Sequence, residues 1–348
     1  MVATVRFHEI GGPEVLRIED VPVRAPGAGE VRIRVDAIGL NRAEVNFRRG
    51  TYVEDARLPA GLGTECSGVV LETGHDVARW SPGDPVSVLP AFSQNDYPVY
   101  AAEAVVPASA LVARPDGLDA VEAATIWMPY LAVYGMTEHV VRSRPGDRWV
   151  ITSAANSVGV AALRAARHAG AVAVATVAGH AHVDAVRAAG AHDVVVTEGC
   201  DDLAAALRSA FGDPEREPRG DTGADLVLDA DGGPRVADLV RACAPGAAVI
   251  VHGGLSGQPT PLPGGTYAPV WLRRFHLHEV TGDPDALRRA EHFVRSGLAS
   301  GAFAPMVDRV FAFDDVAAAH AYIDSPDRAP GKPVLCPHSA GDRPLGLR

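Results

Sequence analysis

The stretch WVITSAANSVGVAALRAARHAGAVAVATV, residues 149–177, decides the fold. Residues 149–152 and 172–177 are apolar runs of β-favouring side chains, which is typical of strands buried on both faces. Between them, residues 158–169 are rich in alanine and other good helix formers, and Gly170 ends that helix. Strand, helix and strand in this order predict a right-handed βαβ unit. The turn at the N-terminus of its helix favours a bound pyrophosphate.

The turn of this unit carries only part of the dinucleotide-binding fingerprint. In a G-x-G-x-x-G frame the three positions are Ala154, Asn156 and Gly159, so only the position that packs the helix on the strand is glycine. From these residues alone, the turn is equally compatible with a dinucleotide site and with a structural βαβ unit that binds no ligand.

Composition places the chain among globular proteins and excludes some partners. The 348 residues are enough for two domains, and 47% of them are hydrophobic. A net charge of -11 argues against nucleic acid or an anionic membrane as the main partner. The N-terminus lacks the apolar core of a signal peptide and no run of 18 apolar residues occurs, so we expect a soluble, cytoplasmic protein. The four cysteines have no C-x-x-C spacing, and we expect them to be reduced.

The order of patterns along the chain predicts an α/β protein with two parts. Residues 1–115 contain short alternating strands between Gly/Pro turns, which favours a small β-barrel. Residues 119–143 are predicted to be helical, and strands then alternate with helices as in a doubly wound parallel sheet. We expect a surface loop at 212–223 and a disordered tail at 339–348.

The chain resembles a medium-chain dehydrogenase/reductase of the zinc-free quinone-oxidoreductase (zeta-crystallin-like) branch. The resemblance covers roughly residues 1–336 and rests on several motifs: GGPEVL at 11–16, GLNRAEVNFRRGTY at 39–52, GTECSGVV at 63–70, PGD at 82–84 and 145–147, SAANSVG at 153–159, AGAHDVV at 189–195, FAFDDVAAAHAYI at 311–323 and GKPVL at 331–335. It implies a GroES-like catalytic domain and a Rossmann domain. The implied bounds are 1–123 with a return at 297–337 for the first, 124–296 for the second, and a tail at 338–348.

The same resemblance implies a function. The expected reaction is NADPH-dependent reduction of quinones or of activated carbon–carbon double bonds (enones) by hydride transfer without metal. The expected state is a cytoplasmic homodimer whose partner is a small carbonyl or quinone substrate. The implied cofactor contacts are Ala154, Ala155, Asn156, Ser157, Val158, Gly159, Thr176, Ala178, His182, His252 and Gly253.

The chain departs from its relatives at the cofactor's 2′ position. Relatives carry Arg and Lys, which bind the 2′-phosphate, where this chain has Ala178 and His182. An NAD enzyme would place Asp or Glu at the strand end instead, and none is present there. We therefore expect a reduced preference for NADPH, with NADH possible and with His180 and His182 as the nearest cations. An arginine elsewhere, such as Arg187, is the alternative phosphate partner.

The resemblance also bears on metal. Zinc-using relatives have Cys at the position of Asn41, His at that of Thr64, and a third ligand near Met128 or Pro129. Catalytic zinc needs three such ligands and an open position, so we predict no metal.

Candidate catalytic groups are those that can donate a hydrogen bond to a carbonyl oxygen as it gains charge. Asn41 and Tyr52 are the first candidates, and Tyr130 and Tyr134 could line the same cleft. Each has a structural alternative: Asn41 bracing a loop, and the tyrosines packing with a satisfied hydroxyl. The resemblance implies that Glu65 lies near the nicotinamide end, and pairing with an arginine is the alternative. Asp229 ends a strand beside the ligand crevice, or it caps the following helix instead.

Two further functions remain open. The protein could keep the fold without hydride transfer, catalysing a non-redox step on a natural product or serving as a binding scaffold. An NAD-linked alcohol dehydrogenase would need the zinc ligands that the sequence lacks.

Overall fold

The computed structural model describes residues 1–212, 223–265, 269–325 and 328–338. The chain forms two compact units, the first made of Met1–Met128 with Pro305–Arg348 and the second of Pro129–Ala304. The expected tail at 339–348 and most of the expected loop at 212–223 lie outside the described residues.

The first unit begins with seven strands and three short helices. They are β1 (Val2–Arg6), β2 (Arg17–Val21), β3 (Glu30–Gly39), α1 (Arg42–Arg48), β4 (Cys66–Thr73), β5 (Pro85–Val88), β6 (Glu103–Pro107), β7 (Leu111–Ala113), α2 (Ala120–Ala123) and α3 (Trp127–Tyr134), whose end belongs to the second unit. Strands β6 and β7 were not predicted. Strand β7 has only three residues, and β6 alternates in burial although its sequence, EAVVP, shows three consecutive apolar residues and no alternation, so neither gives a periodic signal.

Strand β3 is the centre of the sheet in the first unit. It pairs with β4 and β6, and its alternation buries Val31, Ile33 and Val35 on one face, as predicted. Each such side chain contributes roughly 1.5–3 kcal/mol to the free energy of unfolding.

The predicted helix over residues 119–143 is instead three segments. Helix α2 ends at Ala123, α3 starts at Trp127, and a π-helix spans Gly135–Val141. Pro129 lies in the first turn of α3, where its missing N–H costs nothing, so it favours a new helix start there.

The second unit continues with strands alternating with helices. They are β8 (Arg148–Ile151), α4 (Ser157–Ala169), β9 (Val172–Val177), α5 (Val183–Ala189), β10 (Asp193–Val196), α6 (Leu203–Ala210), β11 (Ala224–Asp229), α7 (Val236–Arg241), β12 (Cys243–Val251), β13 (Trp271–Arg274), α8 (His278–Thr281) and α9 (Pro284–Ala299). Helix α9 runs through the domain boundary that the sequence places after residue 296. Strand β13 was missed, because four exposed or half-buried residues show no apolar run.

The sheet of the second unit has the strand order β10-β9-β8-β11-β12-β13. Every pair in it is parallel. This confirms the predicted doubly wound sheet. Its strand order reverses beside β8, which places the turn between β8 and α4 at the crevice where such sheets bind ligands.

The chain then returns to the first unit through β14 (Val307–Ala312), α10 (Val316–Ile323) and β15 (Lys332–Cys336). Strand β15 pairs with β14 in parallel and with β3 in antiparallel orientation, so the last described strand completes the sheet of the first unit. In the described part of the chain, no helix has both the length and the apolar character needed to cross a membrane.

Candidate active site

The turn between β8 and α4 is held by the side chain of Asn156. Asn156 is the N-cap of α4, and its Oδ1 accepts the backbone N–H of Gly159 at 2.9 Å. Its Nδ2 donates to the backbone oxygen of Ser153 at 2.8 Å, which closes the turn on itself. The backbone N–H groups of Ser157 and Val158 begin the helix, where no intrahelical acceptor exists. They are the groups that could receive a phosphate.

Gly159 is required by close packing of the helix on the turn. A Cβ at this position would lie 2.5 Å from the backbone oxygen of Ala154. Ala154 is buried and its N–H donates to the backbone oxygen of Thr176 at 2.9 Å. Thr176 also accepts the N–H of Ser153 on its Oγ1 at 3.1 Å, so the turn is fixed to the next strand. Ala155 lies in the same turn.

Asp229 ends β11 and braces the loop that follows it. Its Oδ1 accepts the hydroxyl of Thr152 at 2.9 Å and the N–H of Asp231 at 3.0 Å, and its Oδ2 accepts the N–H of Gly232 at 3.2 Å. Burial raises the pKa of Asp229. Its carboxylate is therefore used to hold the loop rather than to cap helix α7. The neighbouring Asp231 accepts the hydroxyl of Ser153.

His252 and Gly253 follow β12, and both donate their backbone N–H to the backbone oxygen of Asp229. A Cβ on Gly253 would lie 2.2 Å from the backbone oxygen of Ala230, so a larger residue does not fit there. Burial lowers the pKa of His252 to about 4, so its imidazole is neutral at physiological pH.

An acidic residue that the sequence analysis missed lies beside the loop after β9. Glu198 follows β10, and its N–H donates to the backbone oxygen of Ala178 at 3.0 Å. Its Oε2 lies 3.5 Å from the place that a Cβ on Gly179 would occupy. Its signal in the sequence is its position two residues after the end of a strand that pairs with β9.

Two histidines lie beside this loop. His180 and His182 lie in a 3₁₀ turn before α5, which begins at Val183. Arg187, the alternative phosphate partner, pairs with Asp193 at 3.1 Å. The guanidinium of Arg187 therefore already has an anionic partner other than a phosphate.

In the first unit, Asn41 caps α1 and contacts a buried carboxylate. Its Nδ2 donates to Glu65 Oε2 at 3.4 Å and to the backbone oxygen of Gly39 at 3.3 Å. Its backbone N–H donates to Glu44 Oε2 at 2.8 Å, which is half of a capping box. Asn41 thus braces α1 and also joins two carboxylates.

Glu65 is paired with a lysine rather than with an arginine. Lys332 Nζ donates to Glu65 Oε2, and both side chains are almost entirely inaccessible to solvent. Glu65 Oε1 accepts the backbone N–H of Met128 at 2.9 Å. Among the described residues, no group of three or more His, Cys, Asp or Glu side chains is arranged to hold a metal ion.

Glu44 is the second carboxylate of this network, and the sequence analysis did not single it out. Its exposed fraction is 0%, and its Oε1 accepts the Thr64 hydroxyl at 3.2 Å. Burial raises its pKa to about 7, although the positive charge of Lys332 opposes that shift. The signal in the sequence was the N-x-x-E spacing of a capping box.

The tyrosines differ in their surroundings. Tyr52 is half-buried, with its ring edge-on to Phe47 at 6.2 Å between centroids. Burial raises the pKa of Tyr52 to about 12, so its phenol stays a hydrogen-bond donor.

Tyr130, expected to line the cleft, has an exposed fraction of 0%. Its ring stacks on Phe303 at 4.2 Å, and its hydroxyl contacts the backbone of Ala304. Tyr134 is also buried and packs against Phe293. These contacts favour the packing alternative for both tyrosines, and a place for either of them beside a substrate stays a prediction.

Comparison with known proteins identifies both units. The Alcohol dehydrogenase GroES-like domain family matches residues 27–116, and the Zinc-binding dehydrogenase family matches residues 157–293. The quinone oxidoreductase of Pseudomonas aeruginosa is 32% identical over 56% of this chain, and the match spans 58% of that protein's length. The 2-haloacrylate reductase of a Burkholderia species is 26% identical over 93% of this chain and 96% of its own.

Solved structures agree over nearly the whole chain. The quinone oxidoreductase of Pseudomonas syringae pv. tomato has a TM-score of 0.84 at 27% identity, covering 97% of this chain and 100% of that one. A mycobacterial protein complexed with NADPH has a TM-score of 0.83 at 25% identity, with the same coverage. The predicted GroES-like and Rossmann folds are confirmed by these matches. The chain belongs to the medium-chain dehydrogenase/reductase superfamily, in its zinc-free quinone-oxidoreductase branch.

Proposed function

We propose that the protein is an NADPH-dependent reductase that transfers a hydride to quinones or to activated carbon–carbon double bonds, without metal. The observation that carries the proposal is the β8–α4 turn, where Gly159 packs against Ala154 and the first two residues of α4, Ser157 and Val158, are half-buried rather than covered. The names of the relatives, quinone oxidoreductase and 2-haloacrylate reductase, support a reductase of such acceptors.

The turn fits a pyrophosphate. The backbone N–H groups of Ser157 and Val158 and the positive end of the α4 dipole favour a negative charge at this point. A Cβ at Gly159 or at Gly253 would collide with backbone, so close approach of backbone to backbone is built into both places. The nicotinamide of a bound NADPH would supply the hydride.

The first unit offers donors for the carbonyl oxygen of an acceptor. Asn41 keeps 6% of its surface exposed, and its Nδ2, which donates to Gly39 O at 3.3 Å and to Glu65 Oε2 at 3.4 Å, would have to redirect one N–H to reach the oxygen of an acceptor. Tyr52 remains protonated across the physiological range because its pKa is about 12. Donors of this kind stabilise the charge that develops on the oxygen during hydride transfer.

Turnover assays test the proposal. We expect purified protein to oxidise NADPH with a panel of quinones and enones, and EDTA to leave the rate unchanged. Asn41→Ala or Tyr52→Phe should lower kcat more than it raises KM, by on the order of 10²-fold for one such donor. Near wild-type kcat in the double variant would show that both residues are structural.

A second candidate is a homologue that keeps the fold without hydride transfer, acting as a binding scaffold or in a non-redox step. The contact of Asn156 supports this second candidate, because its side chain accepts the N–H of Gly159, which would otherwise be available to a phosphate. Thermal unfolding separates the two, because a ligand that binds the native state raises Tm. An unchanged Tm with both NADPH and NADH would favour the scaffold.

We also propose a cytoplasmic homodimer. Strand β13 is an edge of the six-stranded sheet, and Trp271 on it is 76% exposed. Exposed edge strands are sites of pairing with another chain. Sedimentation at micromolar concentration tests the dimer, and a monomer there would contradict it.

A further inference from the structure

In the first unit, the neutral residues Asn41 and Thr64 form hydrogen bonds with two buried carboxyl groups, those of Glu44 and Glu65. Asn41 and Thr64 keep 6% and 7% of their surface exposed, whereas Glu44 and Glu65 keep none. A carbonyl oxygen that approaches this network therefore meets an amide and a hydroxyl before it meets a carboxyl group.

The two carboxyl groups have different partners. Glu65 forms an ion pair with Lys332 and accepts the N–H of Met128. Glu44 accepts only neutral groups among the hydrogen bonds of the described residues, the N–H of Asn41 at 2.8 Å and the Thr64 hydroxyl at 3.2 Å. A buried carboxyl without a contacting cation favours its protonated form.

We propose that Glu44 stores the proton that completes the reduction and that the Thr64 hydroxyl passes it to the acceptor oxygen. The proposal rests on the reductase function. It assigns Glu44 a role through Thr64 rather than contact with the substrate, since Thr64 keeps 7% of its surface exposed and Glu44 keeps none.

The proton transfer balances with the hydride transfer. The hydride carries two electrons from the nicotinamide to the acceptor, whose carbonyl oxygen becomes an oxyanion. The O–H bond of Thr64 breaks as its proton bonds to that oxygen, while the proton of Glu44 moves to the Thr64 oxygen. Glu44 is left as a carboxylate, and water returns a proton to it before the next turnover.

The surroundings of Glu44 set its protonation. Lys332 lowers its pKa and Glu65 raises it, but burial dominates and the result is about 7. The other titratable groups that interact with it are Tyr52 and Tyr100, whose pKa values burial raises, so both phenols stay neutral. A general acid with a pKa near the working pH is suited to proton transfer.

Kinetics of matched variants tests the relay. We expect wild-type kcat to fall as pH rises above about 7, since Glu44 then loses its proton. Glu44→Gln and Thr64→Val should each lower kcat by about 10²–10⁴-fold and abolish that fall, and Thr64→Ser should restore both. Glu122→Gln is the matched control: Glu122 is also the third residue of a capping box, accepting the N–H of Asp119 at 3.0 Å, and it should leave the pH profile unchanged.

Stability measures the proton on Glu44 without turnover. The folded pKa of about 7 lies above the ordinary 4.5, so the folded state binds more protons than the unfolded state between these values. The free energy of unfolding of the wild type, relative to Glu44→Gln, should therefore fall as pH rises from 4.5 to about 7.

Three results would overturn the relay: a constant stability difference across that range, a fall of kcat above pH 7 that persists in Glu44→Gln, or wild-type kinetics in Thr64→Val. If the wild type fails to oxidise NADPH with every quinone and enone tested, the reductase function itself fails and the relay fails with it. Wild-type turnover combined with any of the three results rejects the relay alone.

Discussion

Lys332 and Glu65 form a buried ion pair although 267 positions separate them in the chain. Lys332 is the first residue of β15 and Glu65 directly precedes β4, so the pair joins the returning segment to the body of the first unit. Lys332 is also the chain's only lysine. A Cβ on Gly39 would lie 2.8 Å from Lys332 Cε, which shows how tightly the side chain is enclosed.

We expect a single substitution in this ion pair to lower the free energy of unfolding much more than the double substitution does. Lys332→Met leaves the Glu65 carboxylate buried without its cation, and we expect a loss of about 3–5 kcal/mol in the free energy of unfolding. Lys332→Met with Glu65→Gln removes both charges and should recover much of that loss. Urea unfolding measures both, and equal losses in the single and double variants would contradict the prediction.

We expect Gly159→Ala, which adds a single methyl group, to abolish cofactor binding. Gly159→Ala places a Cβ 2.5 Å from the Ala154 oxygen, so helix α4 must shift away from the turn. Such overpacking costs about 1–3 kcal/mol, and the rise of Tm with NADPH should disappear. Gly264→Ala, at a position with nothing within 4 Å, is the control that should keep that rise. An undiminished rise in Gly159→Ala would remove the turn from the cofactor site.

Asn156 predicts that helix capping and phosphate binding compete for one N–H group. Asn156→Gly frees the N–H of Gly159, and loss of the cap costs only a few tenths of a kcal/mol in stability when glycine replaces it. We expect tighter NADPH binding, measured by nicotinamide fluorescence. Weaker binding would mean that the cap organises the turn for the cofactor.

We expect the negative charge of Glu198 to disfavour the 2′-phosphate of NADPH and so to favour NADH. Its carboxylate lies beside Gly179, in the loop that follows β9 and leads to His180 and His182. Glu198→Gln should raise kcat/KM for NADPH relative to NADH by about fivefold, since a charge near a surface phosphate contributes on the order of 1 kcal/mol. Asp184→Asn, which removes an exposed acid on the nearby α5, should change the ratio less. Equal effects of both variants would show that Glu198 acts only through the net surface charge and not through its position.

His182 predicts that the cofactor preference depends on pH. A histidine binds a dianion best when protonated, and histidine is the side chain that gains its proton within the physiological pH range. The preference for NADPH should grow as pH falls from about 8 to about 6, and His182→Ala should flatten this trend. His168→Ala, whose ring packs edge-on to Phe303, is the control. A large preference that ignores pH and survives His182→Ala would rule out the histidine.

The sequence by itself determined the elements that local patterns encode. The βαβ unit around Gly159, the parallel sheet and the family were all predicted. Apolar runs, the alternation of β3 and the helix-ending glycine act within a few residues. The packing role of Gly159 followed for the same reason.

Only the tertiary structure decided which side chains meet. Lys332 reached Glu65 and Glu198 reached Gly179 through strand pairing, which no local pattern specifies. The sequence left Tyr130 open between lining a cleft and packing, and its stacking on Phe303 was decided by the packing of segments that lie far apart in the chain. Glu44 was overlooked for the same reason: the carboxyl of a capping box is ordinarily exposed, and only its burial beside Thr64 gives it a pKa of about 7.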